Sequence, residues 1–120
     1  MRSLLLAVLL CGCGRVDFTG IWSGDMTVST NCGSNRTLPV QWSMIQQADT
    51  LAITPSGTCG NYTADVQGNF AVIRAKTCPS GITISGGRLE LLSAQKVDAL
   101  LQATDGANCG ATYKGVLTLE

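Results

Sequence analysis

The stretch FTGIWSGDMTVST, Phe18 to Thr30, alternates without a break. Phe18, Gly20, Trp22, Gly24, Met26 and Val28 fall on one face, and Thr19, Ile21, Ser23, Asp25, Thr27 and Ser29 on the other. Period two with one polar face predicts a half-buried antiparallel strand, because successive side chains leave a strand on opposite sides. Working outward, the same period returns. Leu38 to Gln46 places Leu38, Val40, Trp42 and Met44 inward, and a short strand carries Leu51 and Ile53. Tyr62, Ala64 and Val66 make the next strand, and Gly68-Asn69 reads as a glycine-first hairpin turn into Phe70 to Lys76. Phe70 to Lys76 is apolar on both faces except for Arg74 and Lys76, so its register stays open. Arg88 to Ser93, Val97 to Thr104 and Ala111 to Leu119 complete eight segments, and none holds a convincing helical period.

Eight segments in a chain of 120 residues predict one all-β domain over 18–120. Its architecture is a small antiparallel up-and-down meander, closed or nearly closed into a barrel. In such a meander the connections after strands one, three, five and seven leave at one end. Those connections hold Cys32, Cys59, Cys78 and Cys109, so all four cysteines are expected at one rim. Two disulfides are the natural reading of an even set. Neighbour pairing allows Cys32–Cys59 with Cys78–Cys109, which is preferred, or Cys59–Cys78 with Cys32–Cys109 if the sheet closes. The opposite end is expected to carry tight turns at Ala48-Asp49, Gly68-Asn69 and Gln95-Lys96.

Composition narrows the function classes. Eight basic residues balance eight acidic ones and no basic cluster exists, which argues against nucleic acid. There is no histidine, so His-based catalytic triads and mixed His/Cys zinc sites are excluded. The cysteines of the folded part lack the close C-x2-C or C-x4-C spacing of structural zinc, and no metal or cofactor is expected. Acidic residues are scattered, serines lack a general base, and no phosphate-cradling loop opens a helix. The expectation is a protein that is not an enzyme. Candidate ligand contacts are Trp22 and Trp42, as aromatic walls, with Tyr113 and Arg36. The cysteine rim is rich in Ser, Thr, Asn and Gly, including Asn31, Asn35, Asn61 and Asn108, and would suit a binding face.

The amino terminus reads differently. Met1-Arg2-Ser3 precedes seven apolar residues, Leu4 to Leu10, the layout of an export signal. Seven residues span about 10 Å as a helix, too short to cross a hydrocarbon core of ~30 Å. Leu10-Cys11-Gly12-Cys13 resembles the lipobox of bacterial lipoproteins. That resemblance implies a signal peptide over 1–12, cleavage before Cys13, and a diacylglyceryl thioether with an N-acyl chain on Cys13. Residues 13–17 would then be a lipidated N-terminus and short tether. Several acyl chains give durable membrane attachment, each buried methylene contributing ~0.8 kcal/mol. Gly14, where enterobacterial sorting would use Asp for inner-membrane retention, implies the outer membrane, facing the periplasm or the cell surface.

Gly20-Ile21-Trp22 on the first strand resembles the G-x-W signature of calycin barrels, the lipocalins and avidin-like proteins, in which the Trp closes one end. That family pairs the Trp with a late-strand Arg; here the last strand offers Lys114. The expectation is a monomeric, lipid-anchored envelope protein binding a small or hydrophobic ligand. The alternative is an anchored protein-interaction module or a structural envelope component. Cys109-Gly110-Ala111-Thr112-Tyr113-Lys114-Gly115 is similar to the Gly/Tyr and Lys-Gly motifs of small periplasmic lipoproteins that inhibit lysozyme.

Overall fold

A computed structural model describes residues 17–55, 60–105 and 109–120. The expected signal peptide, the lipobox-like residues and Cys13 lie outside the described residues. So does Cys59.

Nine strands form one antiparallel sheet. They are β1 (Gly20–Thr30), β2 (Arg36–Gln47), β3 (Thr50–Pro55), β4 (Tyr62–Gln67), β5 (Phe70–Ile73), β6 (Lys76–Thr77), β7 (Thr83–Ser93), β8 (Lys96–Thr104) and β9 (Gly110–Leu119). Consecutive strands pair from β1 to β5 and again from β6 to β9. Two further ladders close the sheet: β9 pairs with β1, and β5 pairs with β7. The result is a closed eight-strand barrel with β6 as a two-residue extra strand. β5 and β6 are two pieces of the single segment expected from Phe70 to Lys76. The break falls at Arg74-Ala75, and both pieces lie against β7.

Closure depends on two glycines. The β9–β1 ladder skips from Lys114↔Thr27 to Thr118↔Ser23. Across that gap a Cβ on Gly24 would sit 2.6 Å from the Val116 carbonyl oxygen, and one on Gly115 would collide with the Asp25 carbonyl. The backbones approach too closely there for any side chain.

Alternation places the core as expected over most of the chain. Phe18, Trp22, Met26, Trp42, Met44, Leu51, Ile53, Tyr62, Ala64 and Val66 are buried inside. The open register of β5 resolves with Ala71 and Ile73 inward and Val72 outward. The outer face of β1 keeps Ser23, Asp25, Thr27 and Ser29, whereas a bilayer-spanning barrel carries its apolar band outside.

Three expectations need correction. First, β7 begins at Thr83, not Arg88. A register shift between Ile84 and Gly86, with Gly86 at φ 153°, interrupts the alternation. Ile84 therefore points inward at even parity while Leu89 points inward at odd parity. A β-bulge of this kind bends a strand and erases the periodicity that would announce it. Second, the last tight turn is Ala94-Gln95, one residue earlier than expected. Third, the described disulfide is Cys32–Cys109, with Cα atoms 5.5 Å apart, and not the preferred Cys32–Cys59 with Cys78–Cys109. Ring closure is the reason. Once β9 pairs with β1, Ala111 lies opposite Thr30, and the loops that follow β1 and precede β9 become neighbours. One disulfide, rather than two, lies wholly among the described residues; Cys78 is also disulfide-bonded.

Candidate ligand cavity

The two ends of the barrel are built differently. At the tight-turn end, here called the base, Phe18, Trp22, Met44, Leu51, Leu89, Val97 and Leu117 are all shielded from solvent. The Trp22 indole N–H donates to the Phe18 carbonyl at 2.8 Å, so its one polar atom is satisfied inside. The Phe18 amide donates to the Gln46 side-chain oxygen at 2.9 Å, and the Gln46 amide donates to the Thr19 hydroxyl at 3.0 Å. These bonds fold the incoming chain across the base as a plug.

At the cysteine rim the inward rows do not meet. A cavity of about 370 Å³ opens there, with Met26, Trp42 and Leu101 lower down and Leu38, Val40, Tyr62, Ile84 and Tyr113 on its walls. Trp42 meets Tyr62 edge to face, with ring centroids 6.1 Å apart and planes at 75°. Burial pushes the Tyr62 phenol above its usual range, and the neighbouring Tyr113 adds to the rise. None of the lining residues carries a formal charge. Among its lining side chains, Ser80, the two tyrosine hydroxyls and the Trp42 indole N–H can form hydrogen bonds.

A second cavity of about 210 Å³ adjoins the first, and Ile82, Ala103 and Tyr113 line both. Its other lining residues include Thr30, Arg36, Asp105 and Cys109. Strand parity explains Arg36. It stands first in the row Arg36, Leu38, Val40, Trp42, Met44, and its partner across the ladder is buried Val28. Arg36 is thus the rim residue of an inward-facing row.

The seam side of the mouth is pinned. Beside the Cys32–Cys109 disulfide, the Gly110 amide donates to the Asn31 side chain at 3.0 Å and the Asn31 amide to the Gly110 carbonyl at 3.3 Å. The Cys109 amide donates to the Asp105 carboxylate at 2.9 Å. Across the rim, the Lys76 ammonium donates to the Asn61 carbonyl at 2.5 Å.

Of the four side chains singled out from sequence, Trp42 and Tyr113 line the main cavity and Arg36 the smaller one. Trp22 lines neither; it belongs to the packed base. Asn108 lies outside the described residues. Tyr62 and Ile84 read as core or went unassigned from sequence, yet both line the cavity. In β2, Leu38 and Val40 are only half-buried although they lie in the inward row, which alternation alone does not announce. Among the described residues no group of three His, Cys, Asp or Glu is placed to hold a metal ion.

No protein-family model matches the chain, and no curated protein matches it in sequence. A solved structure, EF1p2_mFAP2b bound to DFHBI, is similar in fold, with a TM-score of 0.60 at 20% identity. The match covers 85% of this chain and 93% of that one. At that identity the likeness concerns the fold alone.

Proposed function

We propose that this barrel is a non-catalytic binding module that holds one small apolar molecule in its mouth. The observation that carries the reading is the cavity of about 370 Å³ between Trp42 and the two tyrosines. Its volume is at the small end of ligand pockets, and its walls are apolar with a few convergent hydroxyls. An up-and-down barrel whose base is packed solid has no structural need for an open upper half. The fold neighbour EF1p2_mFAP2b, bound to DFHBI, supports the idea that such a barrel can take a ligand.

The second part of the proposal is attachment, as a monomer, to the outer membrane through acyl chains on Cys13. The described chain enters at Asp17 beside the base, and a four-residue step from Cys13 reaches ~14 Å at most. The base would then face the membrane and the mouth would point away from it. The ligand would arrive from the aqueous side.

The test is titration of the soluble domain, Gly14 to Glu120, with naphthalene-2-carboxamide, a flat neutral probe, followed by calorimetry and tryptophan emission. One-to-one saturable binding that quenches Trp42 is expected, and Val40→Trp, which fills the cavity, should abolish it without lowering Tm. Saturable binding unaffected by Val40→Trp, or none at all, would sink the cavity reading. For the anchor, labelled palmitate should enter the full chain in bacteria and be lost in Cys13→Ser.

A further inference from the structure

Resting on that reading, we propose that the preferred ligand is an organic monoanion, an apolar body with one carboxylate head, and that Arg36 receives the head. The inference comes from how charge is distributed around the two cavities. The larger has no formally charged residue in its lining, so it selects for an apolar body and against a charge placed deep inside. The smaller, which shares Ile82, Ala103 and Tyr113 with it, has one cation and one anion in its lining, Arg36 and Asp105.

These two charges are not equivalent. The Asp105 carboxylate already accepts the Cys109 amide at 2.9 Å, and the Asp105 amide donates to the Cys109 carbonyl at 3.1 Å. Asp105 is thus committed to shaping the loop before β9. The ion pair among the described residues is Arg74–Asp65, on the outer wall, and Arg36 takes no part in it. Arg36 begins β2 on the inward row that runs through Leu38 and Val40 to Trp42, so one strand presents a cation at the mouth and an aromatic ring below it. A guanidinium fork matches a planar carboxylate with two parallel hydrogen bonds. A doubly charged phosphate would fit worse, because Asp105 lines the same recess and would repel the excess charge.

The experiment compares three probes with one ring system and different heads: naphthalene-2-carboxylate, naphthalene-2-carboxamide and 2-naphthylmethylammonium. Each is titrated by calorimetry at low salt into the soluble domain and its Arg36→Gln variant. The carboxylate is expected to bind about tenfold tighter than the amide, the scale of a charge-assisted hydrogen bond at a partly exposed site. Arg36→Gln should weaken the carboxylate about tenfold relative to the amide and so erase that preference, with Tm unchanged. Salt near 0.15 M should shrink the preference, since screening shortens to about 8 Å. Equal binding of carboxylate and amide, or a preference that survives Arg36→Gln, overturns the anionic-ligand inference while leaving the apolar cavity standing. Tightest binding of the ammonium overturns it in favour of Asp105. If no probe binds, the cavity reading and this one fall together.

Discussion

The base and the mouth share the same strands and the same closure, yet one is filled and the other is open. Trp22 and Trp42 make the contrast sharp, because they are direct partners across the β1–β2 ladder and both point inward. Trp22 is completely enclosed and spends its N–H on the Phe18 carbonyl. Trp42 lies against Tyr62 and borders the cavity. Alternation decides only whether a side chain points inward. Whether the interior is filled depends on side-chain volume at each level and on what closes the end. At the base, large residues meet under the Phe18 plug and two-residue turns hold strand ends together. At the rim, Ala103, Val40 and Ile84 border open space.

The contrast breaks if the two tryptophans prove equally important to stability. Trp22→Ala should cost about 3–5 kcal/mol, measured by urea unfolding, because it empties a fully packed site. Trp42→Ala should cost roughly half as much while abolishing probe binding, since part of its surface already faces space. Next in size is the seam. Replacing Cys32 and Cys109 by Ser removes a cross-link spanning 77 residues, and the loss of a disulfide typically costs about 2–4 kcal/mol. Hydrogen exchange should locate the loosening at the Asn31 and Gly110 amides, with the base amides of Val66 and Leu119 following only the global stability. A uniform loss of protection from Asn31 to Leu119 would mean the mouth has no separate identity.

The sequence disclosed the strands wherever alternation ran unbroken, as in Phe18–Val28 and Val97–Ala103, and the connections that carry Cys32, Cys78 and Cys109 lie at the end that counting strands gave them. It hid what depends on closure or on irregularity. The bulge at Ile84–Gly86 switches parity within β7, so an eleven-residue strand looked half that length. The Cys32–Cys109 pairing required knowing that β9 meets β1, and the glycines that permit this, Gly24 and Gly115, resemble ordinary inward positions of a strand. For the cavity, aromatic residues could be named, but apolarity alone does not separate a packed tryptophan from one with space beside it. Trp22 was therefore grouped with Trp42.

A smaller change sharpens the picture of the base from the other direction. Ala48, in the β2–β3 turn, adopts φ 55°, a left-handed conformation that costs an L-residue roughly 1 kcal/mol. Its carbonyl accepts the Gln46 side-chain amide at 3.0 Å, and Gln46 also holds the Phe18 plug. The turn keeps its strained residue because both contacts fix it. Ala48→Gly should raise stability by about 1 kcal/mol at most, read as a higher Tm with unchanged probe affinity. Destabilisation would show that the Ala48 methyl has a packing role.

The least effect is expected on the outer wall, which belongs to neither end. The Arg74 guanidinium meets the Asp65 carboxylate through two hydrogen bonds, 2.6 and 2.9 Å, in an exposed position. The bond from Arg74 is the main cause that holds the Asp65 carboxyl below its usual range. A depressed folded-state pKa means the unfolded chain binds the proton first as pH falls. The pair's contribution is therefore complete above about pH 4–5, where the unfolded carboxyl is ionised, and is lost as pH falls through the lower folded value. Asp65→Asn should lower Tm slightly at pH 7 and converge with the parent near pH 2. Solvent and salt screen the pair, so added salt should narrow the pH 7 difference. Probe affinity should be the same in both proteins, because a contact outside the barrel has no route to a cavity whose walls are set by packing. A shift in affinity with Asp65→Asn would show that the mouth answers to the β4–β5 hairpin, and the separation between packed base and open mouth would then have to extend to the barrel's outer surface.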